Sequence, residues 1–550
     1  MSQVTVTRNV RVPMRDGVEL SADIYMPKSV PAPGIVLRTP YLKLSKNSHE
    51  IGTYFAEHGY VVMYMDVRGR GDSDGEFTPY RNDGVDGYDT IEWLAAQDYC
   101  NGSIGTLGGS YLGHVQFLAA LEQPPSLKAM IPMVTPSDPF VEWPTGVPGP
   151  HSAYWIYMVG GRTMQYADAV DWEQVYKTLP LEQMDEASGR YSAHWKEEMK
   201  HTTFDEYWDH VAYQEKFDQI DLPVLHISGW YDDEQVGTPL NFTRMFNAKT
   251  EKKFAKDNYL LMGPWPHGIN QSTSLGELDF GPESIIDLRG YQRRFFDKYL
   301  KEEDNGFGDD NLNVDYFLMG NNTWQKAPNW PLPDAEPMKY YISSKRAANS
   351  RYGDGLLTPN KEDVTFGRDS YDYDPNDPVP FITDVISSQI GGADDYSAIE
   401  RRDDILVYTS EPLEEDTAIV GPIRAKLFVS SDCKDTDFMV KLLDVHPNGK
   451  SIRMIDGMTR MRFRTGMTEQ VLMTPGEVYE IDVDVWNTSN VFKKGHQIRV
   501  EISSSAFPKY DRNLNTGEHL ATSSEMKTAH NTVYFDENRL SYIELPIKKL

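Results

Sequence analysis

Three residues whose types can together carry out nucleophilic catalysis stand far apart in the chain: Ser110, Asp232 and His267. A serine hydroxyl is a weak nucleophile unless a histidine accepts its proton and a carboxylate orients that histidine. Ser110 lies in the glycine-rich stretch GTLGGSYLGH, whereas Asp232 and His267 lie in GWYDDE and GPWPHG, each directly after a short apolar run. The residue types therefore predict acyl-transfer chemistry, provided that folding brings the three side chains together.

The glycines around Ser110 predict a sharp turn between a strand and a helix. Glycines occupy the two positions before the serine and the third position after it, and an apolar stretch follows. The nucleophile of an α/β-hydrolase needs such small neighbours, because its strand and helix approach closely there. The usual motif has glycine two positions after the serine, where this chain has Leu112, so spacing alone leaves an ordinary loop serine as an equal alternative. The order Ser110, Asp232, His267 matches that of α/β-hydrolases and favours the nucleophile.

The elements that must position these residues alternate along the chain. After an opening hairpin with a period of two, short apolar strands are separated by helical stretches, as in a parallel sheet covered on both faces. The predicted strands are 34–40, 60–67, 127–135, 223–229 and 258–263. Asp232 and His267 follow the last two strands, and carboxyl ends of parallel strands share one edge of a sheet.

Two changes in sequence character predict further domains. A stretch rich in Trp, Tyr, His and charge interrupts the alternation and is typical of a helical insertion. After the proline-rich joint PNWPLPDAEP, many short strands follow without helices, which is typical of a jelly roll. We predict an α/β-hydrolase core at 1–135 and 221–325, a helical cap at 136–220 and a C-terminal jelly-roll β-sandwich at 326–550.

Composition limits the classes of partner. The 550 residues carry a formal charge of −29 and a sequence pI of about 4.8, which disfavours nucleic acid and anionic membrane surfaces. The opening MSQVTVTRNV lacks the layout of a signal peptide, so we expect a cytoplasmic protein. Cys100 and Cys433 predict neither a disulfide framework nor a thiolate metal site. The sequence does not decide whether the chain forms a homo-oligomer.

No sequence pattern indicates a metal or a cofactor. Gly69, Gly71 and Gly75 follow a strand but do not have dinucleotide-binding spacing, and neither HExxH nor paired cysteines occur. The segment HPNGKS predicts a hairpin turn. We therefore predict that the chain needs no cofactor and no metal.

Nine segments resemble the CocE/NonD hydrolases, in order and over nearly the whole chain. This group contains cocaine esterase, X-Pro dipeptidyl-peptidases, α-amino-acid ester hydrolases and glutaryl acylases. The resemblance implies that Ser110, Asp232 and His267 form the triad, because the family's nucleophile motif is G-x-S-Y-x-G, which accommodates Leu112. It also implies a core, a cap and a jelly roll. The segments are PMRDGVELSADIYMP, RTPY, MDVRGRGDSDGEF, GGSYLG, GWYDD, GPWPHG, YTSEPL, DTDFMVKLLDVHPNG and SSSAFPKYDRNLNTG.

Two groups are expected to stabilise the oxyanion of the tetrahedral intermediate. The backbone amide of Tyr111 lies at the start of the predicted helix, where amides have no intrahelical acceptor. The resemblance supplies the second donor, the hydroxyl of Tyr41 in RTPY. From the residues alone, Tyr41 is interpreted as a buried aromatic at a strand end.

Aromatic and acidic residues suggest how substrate is held. The cap carries aromatic side chains that could line an acyl pocket, although such residues are more often core. They are Trp143, Tyr154, Trp155, Tyr157 and Tyr166.

Acidic residues next to Asp232 could hold an ammonium group. Asp233 and Glu234 directly follow Asp232. The resemblance to α-amino-acid ester hydrolases implies a carboxylate cluster here that holds the substrate's amino group, but one expected acid is Gln235. Glu142 of the cap could supply the missing charge, and solvated surface charge is the alternative.

The function predicted from these residues is hydrolysis of a carboxylic ester, acyl or α-aminoacyl, through an acyl-enzyme. The alternative is hydrolysis of an amide by the same triad, as in X-Pro dipeptidyl-peptidases or β-lactam and glutaryl acylases. A third hypothesis is that the chain is a non-catalytic carbohydrate-binding or scaffold protein that acts through the jelly roll.

Overall fold

The computed structural model describes residues 4–247, 253–254, 256–383 and 391–550. Strands and helices alternate in the first part, which comprises β1 (Thr5–Pro13), β2 (Glu19–Met26), β3 (Ala32–Thr39), α1 (Lys46–Glu57), β4 (Val61–Asp66), α2 (Asp83–Ala95), β5 (Cys100–Gly109), α3 (Tyr111–Leu121), β6 (Leu127–Met133), α4 (Pro150–Val159), α5 (Trp172–Tyr176), α6 (Met184–Ala187), α7 (Ala193–Glu198), α8 (Glu206–Asp209), β7 (Val224–Gly229), α9 (Gly237–Phe246), β8 (Asn258–Gly263), β9 (Ser274–Leu275), β10 (Leu278–Asp279), α10 (Leu288–Leu300), β11 (Val314–Leu318) and β12 (Thr323–Ala327).

Strands dominate the second part. It comprises β13 (Ala335–Ser343), β14 (Leu356–Thr358), β15 (Gly367–Tyr373), β16 (Leu406–Thr409), β17 (Thr417–Ser431), β18 (Asp437–Val445), β19 (Ser451–Arg460), β20 (Tyr479–Phe492), β21 (Gln497–Ser503), β22 (Ala529–Asp536), β23 (Arg539–Leu540) and β24 (Tyr542–Lys548).

The first sheet has the order β1-β2-β4-β3-β5-β6-β7-β8-β11-β12. Pairing is parallel from β4 through β11, and the edge strands β1, β2 and β12 pair antiparallel. The five strands predicted from apolar runs correspond to β3, β4, β6, β7 and β8. The α/β-hydrolase fold is thus confirmed, and the carboxyl ends of β3, β5, β7 and β8 meet at one edge.

Helices cover both faces of this sheet. Buried side chains of α2, α3 and α9 pack on one face, and those of α1 and α10 pack on the other. The approach is close at Gly105, where a Cβ atom would lie 2.7 Å from Phe296. A sheet buried on both faces explains why its strands are continuous apolar runs without alternation.

The short helices α4 to α8 lie between β6 and β7, as the change in sequence character predicts. Side-chain caps start several of them: Asp171, Ser192 and Asp205 each accept a hydrogen bond from a backbone amide in the first turn. Trp172 and Trp195 are buried in the hydrophobic cluster of these helices. The cap therefore has a small hydrophobic core, to which Phe463, Leu520 and Ala521 of the C-terminal part also contribute.

The strands of the second part form the β-sandwich that the sequence predicts. The main path is β15-β22-β17-β24-β13-β14-β16-β21-β18-β19, with β20 paired to β17 and β23 to β22. The hydrophobic cluster of this domain continues into the α/β core, where the rings of Trp230 and Trp330 lie 5.3 Å apart. Among the described residues, none of the helices combines the length and apolar character that crossing a bilayer requires.

Candidate active site

Ser110 lies on a strained turn between β5 and α3. Its backbone has φ 60° and ψ −129°, a left-handed conformation that is rare for a non-glycine residue. Its amide donates to the carbonyl oxygens of Met133 and Val134 at 2.9 and 3.1 Å. A Cβ atom at Gly113 would lie 2.3 Å from Thr135 Oγ1, so the glycine allows the helix to approach β6. The glycine-rich sequence thus produces the sharp turn predicted from it.

Backbone hydrogen bonds join the loops that carry Asp232 and His267. The amide of Trp230 donates to Gly263 O at 2.9 Å, and that of Tyr231 donates to Trp265 O at 3.1 Å. These bonds tie the segment after β7 to the segment after β8. The two side chains are consequently held within hydrogen-bonding distance of each other.

The imidazole of His267 is oriented by Asp232. His267 Nδ1 lies 2.8 Å from Asp232 Oδ1, and Asp232 Oδ2 accepts a 2.6 Å hydrogen bond from Ser228 Oγ. Burial alone would lower the pKa of His267, but Asp233, Glu234 and Asp232 outweigh it and raise that pKa well above its usual value. His267 Nδ1 is therefore engaged with the carboxylate, which leaves Nε2 for a second partner.

Ser110 and His267 both line one cavity of about 370 Å³ between the core, the cap and the sandwich. Asp232 lies behind His267 and is buried. The structure therefore brings the serine, the histidine and the aspartate into one neighbourhood. The walls include side chains from α4 and from the loop that follows β6.

The Tyr41 hydroxyl lies where hydrogen-bond donors converge. Trp155 Nε1 donates to Tyr41 Oη at 3.0 Å, and the Ser110 side chain and the Tyr111 amide interact with the same hydroxyl. Burial raises the pKa of Tyr41 to about 12, although these hydrogen bonds oppose the shift. Tyr41 is therefore protonated at neutral pH and can donate a hydrogen bond next to Ser110.

The side chain of Tyr111 helps to fix the turn. It is fully buried, its hydroxyl donates to Asp83, and it accepts a 3.0 Å hydrogen bond from the Tyr80 amide. The ring of Tyr80 stacks on it at 4.4 Å. These contacts anchor the start of α3, where the amide of Tyr111 lies.

Glu142, Asp233 and Glu234 form an acidic wall of the cavity. Burial raises the pKa of Glu142 to about 8 and that of Asp233 to about 6, and it raises the pKa of Glu234 well above its usual value. Glu142 Oε1 accepts a 2.5 Å hydrogen bond from the Ser137 amide. The cap and the core thus each contribute carboxylates to one cavity, and a bound cation would favour their ionised forms.

Gln235, which replaces an expected acid, does not line this cavity. It is fully buried, and its amide bridges Trp230 O and Asn487 O at 3.0 and 2.7 Å. Gln235 therefore joins the core to the sandwich. Glu142 supplies a carboxylate to the cavity from elsewhere in the chain.

Of the five cap aromatics named from the sequence, Trp143 and Trp155 line the catalytic cavity. Tyr154 lines a neighbouring cavity, and Tyr157 packs against Trp172. The side chain of Tyr166 is 74% exposed. Two of the five aromatics suggested by the sequence thus line the cavity, and Tyr80, Tyr207 and Trp208 add further aromatic surface to its wall.

Lys509 is a wall residue that the sequence analysis missed. It comes from the sandwich and lines the same cavity. Its ammonium group donates to Asp456 and lies 4.4 Å from the ring centroid of Trp486. Burial lowers the pKa of Lys509 to about 8. The segment SSSAFPKYDRNLNTG carries only a family resemblance, because no local pattern reveals which distant surface a lysine will face.

Family models match most of the chain. Residues 16–269 match the X-Pro dipeptidyl-peptidase (S15 family) model, and residues 305–544 match the model of the X-Pro dipeptidyl-peptidase C-terminal non-catalytic domain. The first match contains Ser110, Asp232 and His267, and the second contains Lys509.

Full-length relatives share this organisation. The chain is 35% identical to the cocaine esterase of Rhodococcus sp. (strain MB1 Bresler) over 578 aligned residues, covering 99% of each. An aminopeptidase structure from a marine sediment Thaumarchaeota archaeon superposes with a TM-score of 0.87 at 25% identity, covering 100% of this chain and 97% of that one. An α-amino acid ester hydrolase structure has a TM-score of 0.85 at 24% identity, with the same coverage, and shows the shared fold.

Proposed function

The chain belongs to the CocE/NonD family of serine hydrolases, and on that premise we propose that Ser110 attacks the carbonyl carbon of a carboxylic ester. The observation that carries the proposal is the 2.8 Å contact between His267 and Asp232 beside a cavity that Ser110 also lines. An imidazole held in this way can accept the serine proton on Nε2 while its Nδ1–H remains bonded to the carboxylate.

The reaction proceeds in two acyl transfers. As Ser110 Oγ bonds to the carbonyl carbon, its proton moves to His267 Nε2, and the imidazolium is stabilised by Asp232. The imidazolium then protonates the leaving alkoxide, which departs as an alcohol and leaves the acyl group on Ser110. A water molecule deprotonated by His267 releases the acid and restores the serine.

The oxyanion is bound by the hydroxyl of Tyr41 and the amide of Tyr111. The hydrogen bond from Trp155 to Tyr41 Oη supports this role, because it occupies the oxygen as an acceptor and leaves the phenolic proton for the substrate. A protonated phenol in a buried site is a strong donor to a developing negative charge.

The acidic wall favours substrates whose acyl part carries an ammonium group. Glu142 and Glu234 approach the cavity from the cap and the core, and burial makes their charges costly unless a cation is present. Trp143 and Trp155 offer aromatic surface to the rest of the acyl group, and Trp155 Nε1 is already bonded to Tyr41.

Amide hydrolysis is the second candidate. The S15 family model and the similar aminopeptidase structure favour it, and the same triad can serve both reactions. Amide hydrolysis differs from ester hydrolysis because His267 must protonate an amine, which is a poorer leaving group than an alkoxide.

A matched substrate panel tests these proposals. We expect hydrolysis of p-nitrophenyl esters, faster for α-aminoacyl than for acyl groups, and weak cleavage of aminoacyl and X-Pro p-nitroanilides. Cleavage of the anilides alone would replace the ester proposal by the amide one. Ser110→Ala should abolish turnover and labelling by a fluorophosphonate, whereas a parent protein that is never labelled would favour a carbohydrate-binding or scaffold role.

We further propose that the protein acts in the cytoplasm on a small molecule, and that it needs no nucleic acid or membrane partner. The formal charge of −29 supports the absence of nucleic acid and membrane partners, because such a surface repels phosphate backbones and anionic lipids. Whether copies associate is tested by light scattering of the full chain.

A further inference from the structure

A cluster of potential metal ligands lies in the sandwich, among residues that the proposed hydrolysis does not use. Asp444 is in β18, His446 starts the turn after β18, and His496 directly precedes β21. One ligand atom from each of the three side chains can be chosen so that all lie within 4.8 Å of one another.

Strand register explains why the three side chains meet. β18 and β21 pair antiparallel with Asp444 opposite Ile498 and Val445 opposite Gln497. His446 and His496 follow one residue beyond the last of these pairs. Residues two apart on a strand share a face, as do directly opposite residues, so the two imidazoles and the carboxylate project from one face.

The distances are close to those of a metal site. His496 Nδ1 lies 2.8 Å from Asp444 Oδ1, and His446 Nε2 lies 3.7 Å from Asp444 Oδ2. Ligand atoms about 2 Å from a tetrahedral zinc ion lie about 3.3 Å apart, between these two values. The imidazole rings are 4.4 Å apart between centroids. Because the two distances end at different oxygens of Asp444, side-chain rotations are needed to bring one ligand atom from each residue to this spacing.

The surroundings suit a cation. Asp444 is buried, whereas the side chains of His446 and His496 are 26% and 16% exposed, so an ion can reach them. Asp395 lies near His446, close enough to interact electrostatically, and so does Asp416 near His496, although Asp416 is paired with Lys493 at 3.1 Å. The nearby Lys450 is paired with Glu277. Both histidines are in tight turns, where the His446 amide donates to Lys450 O and the His496 amide to Lys493 O, each at 2.9 Å.

We propose that Asp444, His446 and His496 bind a divalent first-row transition metal ion, zinc above all, which ties the turn after β18 to the turn before β21. Two imidazoles and one carboxylate suit zinc, whereas magnesium and calcium prefer ligand sets made of oxygen. Water completes the coordination. The sequence-based expectation of no metal depended on local motifs, and ligands from neighbouring strands do not form a local motif.

The test measures Zn²⁺ binding to the metal-stripped full-length protein by calorimetry, with Co²⁺ absorption as a spectroscopic readout of nitrogen ligands. We expect the double variant His446→Gln/His496→Gln to lose one equivalent of Zn²⁺ and the matching Co²⁺ bands. Asp444→Asn should lower the affinity for that equivalent of Zn²⁺ at least tenfold.

His530→Gln is the matched control. His530 forms another His–Asp contact in the same domain, with Nδ1 2.7 Å from Asp372 Oδ1. Its substitution should leave Zn²⁺ binding unchanged. Asp232, Asp233 and His267 could also take up the ion, so ester hydrolysis is followed in parallel to report that event. Equal Zn²⁺ stoichiometry and affinity in the parent and the double variant would overturn the site, and this result would leave the proposed hydrolysis untouched.

Discussion

At the scale of single residues, the Tyr41 hydroxyl offers a clean test of oxyanion binding. Tyr41→Phe removes one donor and keeps the ring, so kcat should fall about 10²- to 10³-fold, while KM changes little. The measurement is steady-state hydrolysis of a neutral p-nitrophenyl ester. Tyr80→Phe is the control, because Tyr80 lines the same cavity without an assigned part in the reaction. Equal losses in the two variants would contradict the assignment.

The pH profile reports the charges around His267. The imidazole must be neutral to accept the serine proton, so kcat/KM should fall as pH decreases through the raised pKa of His267, above the usual value of about 6.5. Asp233→Asn removes a carboxylate that raises this pKa, and the acid limb should move to lower pH.

Glu198→Gln is the control for this profile. Glu198 lines the cavity but pairs with His194 at 3.1 Å. Its substitution should leave the acid limb in place. An acid limb that is identical in all three proteins would show that Asp233 does not act on His267.

The acidic wall predicts discrimination between a cation and its neutral isostere. A phenyl ester of betaine carries a permanent trimethylammonium group, and the ester of 3,3-dimethylbutanoic acid has the same shape without charge. Glu142→Gln keeps the acceptor for the Ser137 amide but removes the charge. It should lower kcat/KM for the cationic ester tenfold or more and spare the neutral one. Equal effects on both esters would indicate a structural role for Glu142.

At the scale of elements, the turn between β5 and α3 depends on the space at Gly113. In Gly113→Ala the new Cβ would press on Thr135 Oγ1, so we expect a loss of about 1 to 3 kcal/mol in the free energy of unfolding and a lower kcat. Urea unfolding and kinetics measure the two effects. Adding Thr135→Ala should restore part of both. A single variant as stable and as active as the parent would contradict the close approach.

Elements were predictable from sequence where a local pattern is sufficient. The apolar runs predict β3, β4, β6, β7 and β8, because a strand buried on both faces needs apolar residues throughout. The glycines around Ser110 predicted the turn, since few other residues allow so close an approach. The proximity of Asp232 to His267 followed from two strand ends at one edge of a sheet.

Contacts between separate parts of the chain were not predictable. Glu142 lies in an irregular stretch after β6, and nothing local shows that it lines the same cavity as Glu234. Tyr166 has the same residue type as a pocket aromatic, yet it is exposed. Gln235 stands in the sequence where an acid is expected, but its bridge to Asn487 depends on the packing of the sandwich.

At the scale of the whole molecule, the sandwich contributes to the catalytic cavity as well as to stability. The buried Arg460 of β19 pairs with Asp437 and Asp511 and donates to Thr145 O of the cap at 2.9 Å. Through this contact the sandwich fixes the segment that carries Glu142. The position of the acidic wall therefore depends on all three parts of the chain.

Lys509 gives this dependence a measurable consequence. Its ammonium group is held by Asp456, which Arg453 also binds at 2.6 Å, so a fixed positive charge from the sandwich faces an acidic cavity. A cationic substrate is repelled by that charge. Lys509→Met keeps a chain of similar length and leaves Asp456 paired with Arg453. It should lower KM for the betaine ester and leave KM for the neutral isostere unchanged.

The effect of Lys509→Met should depend on pH in a defined direction. Burial lowers the pKa of Lys509 to about 8, so the parent carries this charge below that pH and loses it above. The difference in KM for the betaine ester between parent and variant should therefore be largest near pH 6 and vanish above about pH 9. The test is to measure KM of the parent and the variant for both esters across this pH range. A pH-independent difference, or one that extends to the neutral ester, would mean that Lys509 shapes the cavity by packing and not by its charge.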